Sequence, residues 1–363
     1  MQDRSMSLTE IPAAVQEQLR AFFDERAAEV QAIGQPVVDA VAHLERFVLG
    51  GGKRIRPMYG WAGFVGGGGL ERGAEDSGAV LRAISALELI QACALIHDDI
   101  IDASDTRRGN PTVHRAVEAD HRRLGYRGDS AVFGEHTAIL IGDLALAWSE
   151  DMWRGSGVSA EALARAEAAW RGMRTEVIGG QLLDITLEAE GSESVDMAER
   201  VNRFKTAAYT IERPLHLGAS LAGAGPDVIA AFRGYGRDIG LAFQLRDDLL
   251  GVFGDTAVTG KPAGDDIREG KRTVLFAQAL LLLDASGDPA ARTLREGIGT
   301  ASEPDELNHL AGIIERSGAV EKVEARITEL TESGLAHLER APIGDDVAES
   351  LRELAVKATA RRM

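Results

Sequence analysis

A long interval without proline constrains the fold of this chain more than any other feature. No proline occurs between Pro111 and Pro214, and alanine, leucine, glutamate and arginine, all strong helix formers, dominate that interval. No sustained alternation of β-branched residues appears, so we predict no sheet. The sequence therefore predicts an all-α fold. One of its helices is expected over 195–219, and two breaks rich in charge and glycine are expected at 107–127 and 254–272.

The domain organisation follows from length and from the absence of a linker. The chain has 363 residues, and no stretch rich in proline and serine divides it into two halves. We therefore expect residues 1–363 to form one domain, a single large bundle of packed helices.

Charge and cysteine content restrict the partners and the compartment. Acids outnumber bases 57 to 40, which argues against a general nucleic-acid binder because such proteins need a positive surface. With Cys93 as its one cysteine the chain cannot form an intrachain disulfide, and its N-terminus lacks the apolar region of a secretory signal. The apolar stretches near 84–101 and 138–148 are interrupted by acids, so we expect a cytoplasmic protein without stable membrane insertion.

The segment 80–96 is apolar on nearly all sides, which predicts a buried helix, yet it ends in an acidic sequence, HDDIID. Acids at a helix C-terminus oppose the helix dipole, so a cation is expected there. Asp98 and Asp102 lie four residues apart, on one face of a helix, with Asp99 nearby. Carboxylate oxygens in this arrangement suit Mg²⁺, which binds a few carboxylates together with water and phosphate oxygens.

A second acidic sequence, QLRDDLLG, closes another largely apolar helix at 244–251. Two such helix ends facing one cavity could hold a metal cluster from both sides. Because carboxylates that are brought together repel each other, a site of this kind requires bound cations.

Basic motifs accompany the acids. The sequence GGKRIRP at 51–57 places Lys53, Arg54 and Arg56 beside two glycines at the start of a helix. Glycine amides and helix N-termini attract anions, and arginine binds phosphate through two parallel hydrogen bonds. Further cations that follow the acidic sequences or lie in the glycine-rich break are Arg107, Arg108, Lys205, Lys261 and Lys271. The combination predicts a phosphate-bearing substrate held partly by metal and partly by Lys and Arg.

Other conspicuous residues favour structural roles. We interpret Cys93 as a small core residue, since free cysteine is commonly buried. His97 projects about 100° away from Asp98 around a helix and is not expected to bind the metal. His114 and Trp148 are interpreted as packing or orienting groups.

Four motifs, in order, resemble those of the trans-isoprenyl diphosphate synthases, also called polyprenyl synthetases. They are GGKRIRP, LIHDDIIDASDTRRGNPTVH, FKTAAYT and FQLRDDLLGVFGDTAVTGKPAGDDIREGKRT, and they span residues 51–273. The second acidic motif is most similar to that of actinobacterial short-chain members, the geranylgeranyl diphosphate synthases. The resemblance implies the isoprenoid synthase fold, a helical bundle around a central apolar cavity. It also implies a homodimer.

The resemblance also implies roles for individual residues. Mg²⁺ ligands are expected at Asp98, Asp102 and Asp247, with three ions per site. Isopentenyl diphosphate is expected at Lys53, Arg56, Gln91 and Arg108, and Gln91 stands where many relatives have histidine. The allylic diphosphate is expected at Arg107, Lys205, Lys261 and Lys271, and Thr206 and Gln244 are expected to face the reacting carbon. The residues expected to carry catalysis are Asp98, Asp102, Lys205 and Asp247.

The second acidic motif departs from the family at one position. Many relatives read DDxxD, whereas this chain has Gly251 at the last position. The next acid, Asp255, lies eight residues beyond Asp247, about 12 Å along a helix, so it cannot replace the missing carboxylate directly. Water bridging and weakened catalysis both remain open at this point.

The implied reaction is Mg²⁺-dependent head-to-tail condensation of isopentenyl diphosphate with an allylic diphosphate. The product chain is expected to run back from the metal site along Ala94, Cys93 and Ile90. Short synthases of the family often carry aromatic residues at the first two of these positions, which are small here, so we expect a C20 product. Ile90 or Trp148 would form the floor of this cavity. A farnesyl product and a product of C25 or longer are the alternatives.

Two other functions are compatible with parts of the pattern. A class I terpene cyclase would share the fold and the first acidic motif, but it needs no second diphosphate site, and GGKRIRP therefore argues against it. A non-catalytic subunit of a heteromeric synthase is conceivable because of Gly251.

Overall fold

Helices make up nearly all the regular structure in the computed structural model, which describes residues 6–73, 75–254 and 263–359. In chain order they are α1 (Ile11–Ile33), α2 (Gln35–Leu49), α3 (Ile55–Gly66), α4 (Gly69–Arg72), α5 (Ser77–Ile101), α6 (Val113–Leu124), α7 (Ser130–Arg154), α8 (Ala160–Glu190), α9 (Val195–Val201), a π-helix (Asn202–Glu212), α10 (Arg213–Leu221), α11 (Pro226–Phe253), α12 (Asp265–Glu269), α13 (Val274–Ser286), α14 (Ala290–Gly297), α15 (Pro304–Arg316), α16 (Ala319–Glu339) and α17 (Asp345–Thr359). The all-α prediction is confirmed.

The chain divides into two compact units. Unit 1 comprises Met1–Ala169 and Pro214–Gly225, and unit 2 comprises Trp170–Arg213 and Pro226–Met363. The single-domain organisation stays a prediction.

The buried helix of unit 1 is α5, as its apolar sequence predicts. Asp76 caps its N-terminus, because the carboxylate accepts a hydrogen bond from the Ala79 amide at 2.9 Å. On one side α5 packs against α7, where Gly142 leaves room for the His97 ring, since a Cβ there would lie 2.2 Å from His97 Nε2. His97 donates instead to the Ile139 carbonyl at 3.0 Å, so it joins two helices.

The interval 107–127 is more ordered than the sequence predicted. Two short strands, β1 (Thr106–Arg107) and β2 (Asn110–Pro111), form an antiparallel hairpin, which corrects the expectation of no sheet. Arg108 and Gly109 at its turn both have positive φ angles, 53° and 76°, as a tight two-residue turn requires. Helix α6 follows, although the interval was predicted as a break. Arg122 and Arg123 lie on the exposed side of this amphipathic helix, whereas Glu118 is buried.

The core of unit 2 lies around α11, which packs against the π-helix and α16. Gly240 lies so close to the π-helix that a Cβ there would be 2.6 Å from the Ala207 Cα. Arg246 anchors the other side of α11, donating to Glu324 Oε2 at 2.7 Å and to the Thr359 carbonyl at 2.9 Å. These contacts fix the end of α11 that carries the second acidic motif.

Two helices, α5 and α7, are long and apolar enough to cross a membrane by length and composition alone. The most apolar window of α5 is 72% buried inside the protein, as expected for a core helix of a soluble fold, whereas that of α7 is 28% buried. One or two helices of this kind are weak support for a membrane protein, since soluble cores contain them too.

Candidate active site

The first acidic motif forms the C-terminal end of α5. Asp98 lies in the last turn, and Asp102 is the residue that ends the helix, with its amide donating to the Asp98 carbonyl at 2.8 Å. Both side chains are half-buried, whereas Asp99 is 1% exposed. The predicted pair of metal ligands therefore lies at one helix end, one turn apart.

Arg107 connects β1 to this acidic end. Its Nε donates to Asp99 Oδ1 at 2.7 Å, and its Nη2 donates to Asp98 Oδ2 at 3.3 Å. The sequence assigned Arg107 to the allylic diphosphate, and the structure places it directly beside the predicted metal ligands. One guanidinium balances only part of the charge of three carboxylates.

The pKa of the buried Asp99 carboxylate is raised in the folded protein. Burial raises its pKa to about 6, and the charges of Asp98 and Asp102 add to the increase, while Arg107 opposes it. Among the described residues, no group donates a hydrogen bond to Asp99 Oδ2. A divalent cation at this helix end would relieve the repulsion.

The motif GGKRIRP in unit 1 runs from the loop before α3 into the first turn of that helix. Gly51 and Gly52 have φ angles of 109° and 134°, which favour glycine. Lys53 is exposed and Arg56 is half-buried. Arg108, predicted to bind the same diphosphate, donates from Nη1 to the Gly51 carbonyl at 3.0 Å. Three residues predicted to bind isopentenyl diphosphate thus belong to this motif or contact it.

Arg54, which the sequence grouped with the binding cations, is buried at 5% exposure. It faces the protein interior and does not belong to the solvent-facing cations of the loop.

The residues predicted to set product length lie on α5 before the acidic end. Ile90 and Cys93 are buried, and Ala94 is half-buried, as is Gln91, the fourth predicted ligand of isopentenyl diphosphate. Burial raises the pKa of the Cys93 thiol to about 12, so this cysteine is protonated at neutral pH, as expected for a core residue.

Trp148, the other residue considered for the cavity floor, belongs to an aromatic cluster in unit 1. Its ring packs edge-on against those of Phe22 and Phe23, with centroid distances of 5.8 and 5.9 Å. The packing role predicted for Trp148 agrees with these contacts.

The second acidic motif lies near the C-terminal end of α11, with Asp247 half-buried and Asp248 buried. The Gln244 amide donates to Asp248 Oδ1 at 2.8 Å, and the Asn202 amide donates to Asp248 Oδ2 at 3.2 Å. Burial raises the pKa of Asp248 to about 7, and the charges of Asp266 and Asp247 also raise it, while the two amides lower it. Gln244, predicted to face the reacting carbon, therefore also orients the second carboxylate of the motif.

Asp266 fills the space beside Gly251. A Cβ at Gly251 would lie 2.1 Å from Asp266 Oδ2. The position at which many relatives carry the last aspartate of the motif thus has no room for a side chain unless Asp266 moves. Asp255 lies outside the described residues.

Lys205, the predicted catalytic lysine, lies in the π-helix and pairs with Asp184 of α8, with Nζ 2.5 Å from Oδ2. The two helices come this close because position 180 is glycine, where a Cβ would lie 2.3 Å from the Lys205 amide nitrogen. Asp184 was not predicted from the sequence. The signal that could have indicated it is the pair Gly179 and Gly180 within a helix, which marks a close approach of another segment, with Asp184 one turn further on. The π-helix, a rare form that is frequent at functional sites, was not predicted either.

The remaining predicted residues have separate positions. Thr206 follows Lys205 in the π-helix and is half-buried. Lys271 Nζ lies 2.8 Å from Glu269 Oε2. Lys261 lies outside the described residues.

The acidic ends suit Mg²⁺ through the chemistry of their donors. In the described ranges, no group of three or more His, Cys, Asp or Glu side chains is arranged to hold a metal by itself. Mg²⁺ takes one or two carboxylates and completes its shell with water and substrate phosphates. Asp99 Oδ2 has no hydrogen-bond partner among the described residues, and the neighbouring charges of Asp98 and Asp102 add to the increase in its pKa that burial causes, so a cation would be favoured there.

A surface pocket of about 280 Å³ in unit 2 is separate from these residues. Its lining includes Glu199, Leu245, Gln278, Lys322 and Arg326, and no residue predicted for catalysis.

A helical bundle with two aspartate-rich helix ends and with Lys and Arg side chains clustered near the first of them has the features of a prenyltransferase. The chain belongs to the polyprenyl synthetase family, whose family model matches residues 40–314.

Relatives in sequence and structure agree with this. A geranylfarnesyl diphosphate synthase of Aeropyrum pernix is 35% identical over 312 residues, 85% of this chain and 89% of the relative. A (2E,6E)-farnesyl diphosphate synthase of Mycobacterium tuberculosis is 33% identical over 309 residues, 84% of this chain and 78% of the relative. The crystal structure of a geranylgeranyl pyrophosphate synthase from Corynebacterium glutamicum, complexed with isoprenyl diphosphate and magnesium, is 60% identical, with a TM-score of 0.95. The structural match covers 98% of this chain and 100% of the crystallised chain.

Proposed function

We propose that this protein condenses isopentenyl diphosphate with an allylic diphosphate, in a Mg²⁺-dependent reaction, to give geranylgeranyl diphosphate. The observation that carries the proposal is the pairing of two cations predicted to bind diphosphate with carboxylates, one pair at the first acidic motif and the other between the π-helix and α8. Arg107 pairs with Asp98 and Asp99, and Lys205 pairs with Asp184. Such paired groups can exchange their partners for a metal-bound diphosphate.

The metal ligands in this proposal are Asp98, Asp102 and Asp247, holding three Mg²⁺ ions. When bound, the ions supply Lewis-acid stabilisation of the departing diphosphate. The complex of the Corynebacterium synthase with isoprenyl diphosphate and magnesium supports this assignment.

The chain's own side chains bind the two substrates, and the Lys and Arg residues among them neutralise the diphosphates. Arg107, Lys205, Lys261 and Lys271 bind the allylic diphosphate, and Lys53, Arg56, Gln91 and Arg108 bind isopentenyl diphosphate. The C1–O bond of the allylic substrate breaks, and the diphosphate leaves with the bonding electrons. The double bond of isopentenyl diphosphate then attacks C1 of the allylic unit. A proton from C2 of the isopentenyl unit is lost to the departed diphosphate. Thr206 and Gln244 present their dipoles to the developing positive charge.

Product length follows from the small side chains before the first acidic motif. Ala94 and Cys93 leave room for a chain longer than C15, and buried Ile90 closes the route in this proposal. The 60% identity to the Corynebacterium geranylgeranyl pyrophosphate synthase supports a C20 product. The farnesyl and geranylfarnesyl synthases among the relatives make C15 and C25 the alternatives.

The test is an assay of the purified protein with labelled isopentenyl diphosphate, Mg²⁺ and each allylic primer in turn. We expect consumption of isopentenyl diphosphate and a C20 product, with no turnover in excess EDTA or without a primer. A terpene cyclase would consume the allylic substrate alone. A non-catalytic subunit would consume neither substrate. Consumption of the allylic substrate alone, or no turnover at all, contradicts the proposal.

We also propose a cytoplasmic homodimer. Helix α7 exposes four apolar side chains, Val132, Phe133, Ile139 and Leu140, with Leu140 67% exposed. A second copy of the chain would cover this face. Leu140→Glu is expected to convert a dimer to a monomer by light scattering, whereas Leu281→Glu, at another exposed leucine, leaves the dimer intact. A monomeric wild-type protein contradicts this part of the proposal.

A further inference from the structure

A buried ion pair lies behind the motif GGKRIRP in unit 1. Arg54 Nη1 donates to Glu88 Oε2 at 2.5 Å, and both side chains are 4% exposed. Arg54 Nη2 donates to Gln16 Oε1 at 2.5 Å and to the Val48 carbonyl at 2.6 Å. The guanidinium therefore joins the loop to α1, to the end of α2 and to α5, and it is not directed at solvent.

These hydrogen bonds hold an unusual backbone. Arg54 has a φ of 50°, in the left-handed region that residues with a side chain rarely adopt. A conformation of this kind persists where surrounding contacts enforce it. Lys53 precedes this residue, and Arg56 lies in the first turn of α3 immediately after it. The directions in which both cations leave the backbone therefore depend on how Arg54 is held.

The same pair connects the remaining ligands proposed for isopentenyl diphosphate. Arg108 donates to the Gly51 carbonyl, so its position follows that of the loop. Gln91 lies three residues after Glu88 on α5, which places the two side chains on the same side of the helix.

Glu88 is also a negative charge among cations. Burial lowers the pKa of Arg108, the positive charges of Arg107, Arg54 and Arg56 lower it further, and Glu88 acts in the opposite direction. Among the described residues, nothing donates a hydrogen bond to Glu88 Oε1. The carboxylate therefore offsets the mutual repulsion of the arginines, which allows them to gather in one place before substrate arrives.

We propose that the Arg54–Glu88 ion pair positions the isopentenyl diphosphate subsite. It would do so by fixing the loop that carries Lys53, and the first turn of α3 that carries Arg56, against the turn of α5 that carries Gln91. Neither side chain touches the substrate in this arrangement. The inference rests on the proposed function, because it assigns a positioning element to one of its two substrates.

The test replaces the pair with apolar side chains of similar length, in the double variant Arg54→Met with Glu88→Met. Removing both partners avoids leaving one charge buried without its counter-ion, which is the usual cause of instability. We expect a Tm near that of the wild type and a KM for isopentenyl diphosphate raised about tenfold or more, with the KM for the allylic substrate within about twofold. Calorimetry is expected to show the same loss of isopentenyl diphosphate affinity.

The matched control is Arg82→Met. Arg82 also ties α5 to α1, through Glu25 at 2.5 Å, but lies away from the loop. This variant is expected to keep both KM values. Should the double variant fail to fold, Arg54→Lys takes its place, since lysine keeps the charge but cannot satisfy three acceptors in the fixed geometry of arginine.

An unchanged KM for isopentenyl diphosphate in the folded variant would overturn the inference and leave the pair a purely structural role. An equal rise in both KM values would overturn it too. A wild-type protein that does not consume isopentenyl diphosphate would instead refute the proposed function.

Discussion

Lys205 Nζ lies 2.5 Å from Asp184 Oδ2, and this ion pair joins the π-helix to α8 in unit 2. The two side chains are 24% and 19% exposed, so the pair is accessible without being freely solvated. Lysine is a flexible point charge, and a carboxylate that holds it restricts where its ammonium group points. The ion pair therefore defines the position from which Lys205 would meet a diphosphate.

Asp184→Asn is expected to weaken binding of the allylic diphosphate, because Lys205 loses the charge that orients it. We expect kcat/KM for the allylic substrate to fall about tenfold to a hundredfold, with a smaller change for isopentenyl diphosphate. Steady-state kinetics with each substrate varied in turn provide the measurement. Asp196→Asn is the control, because Asp196 forms an exposed pair with Arg200. Equal losses in both variants would argue against a role for Asp184 in orientation.

Cys93→Phe and Ala94→Phe are each expected to shorten the product. Both residues lie on α5, within the two turns before Asp98, and phenylalanine would fill the space assigned to the growing chain. Chromatography of the dephosphorylated products is expected to shift from C20 to C15. Cys93→Ser, which keeps the side chain small, is expected to leave the product at C20. A C20 product from both phenylalanine variants would contradict this assignment.

Gly251→Asp, which completes the acidic motif of many relatives, is expected to impair this protein. The new side chain would meet the Asp266 carboxylate, and overpacking of this kind typically lowers the free energy of unfolding by about 1–3 kcal/mol. Thermal unfolding is expected to show a lower Tm, and Asp266→Gly in the same chain is expected to restore part of it. Gly225→Asp is the control, since a Cβ there meets no atom within 4 Å. A Gly251→Asp variant as stable as the wild type would show that Asp266 moves aside without cost.

The Cys93 thiol is expected to resist alkylation in the folded protein. Raising its pKa from 9.0 to about 12 lowers the thiolate fraction at pH 8 about a thousandfold, and the thiolate is the reactive form. Because the chain has one cysteine, mass spectrometry after iodoacetamide treatment reports this site alone. The rate is expected to rise about tenfold per pH unit and to become ordinary in denaturant. Rapid alkylation of the folded protein at pH 8 would show that Cys93 is not buried as described.

The sequence predicted those parts of the fold that depend on local patterns. The apolar run before Asp98 identified α5 as a buried helix, and the acids that follow it marked the helix end. The same reasoning placed the second acidic motif, 244–251, at the C-terminal end of α11, which ends at Phe253. Helix α6 was missed because its charged residues were taken for a loop, although Gly125 after its last residue is a common signal of a helix C-terminus.

The parts that were not predicted depend on contacts between distant segments. A π-helix over 202–212 requires close packing against Gly180 and Gly240, and nothing local distinguishes it from an α-helix. In the sequence Arg54 resembles the other cations of its basic motif, and only the structure shows that it is buried against Glu88. The sequence gives the type and spacing of the side chains, but it does not show which distant residue each one pairs with.

The most direct test of the central claim measures the Mg²⁺ dependence of diphosphate binding. An unreactive allylic thiodiphosphate is titrated into the wild type, Asp98→Asn and Asp247→Asn, with Mg²⁺ and with EDTA, and its affinity is measured by calorimetry. The account predicts tight binding by the wild type with Mg²⁺ alone, and affinity lowered about a hundredfold in each variant, since each removes a charged metal ligand. Wild-type affinity that persists in EDTA, or a variant that keeps full Mg²⁺-dependent affinity, would contradict it.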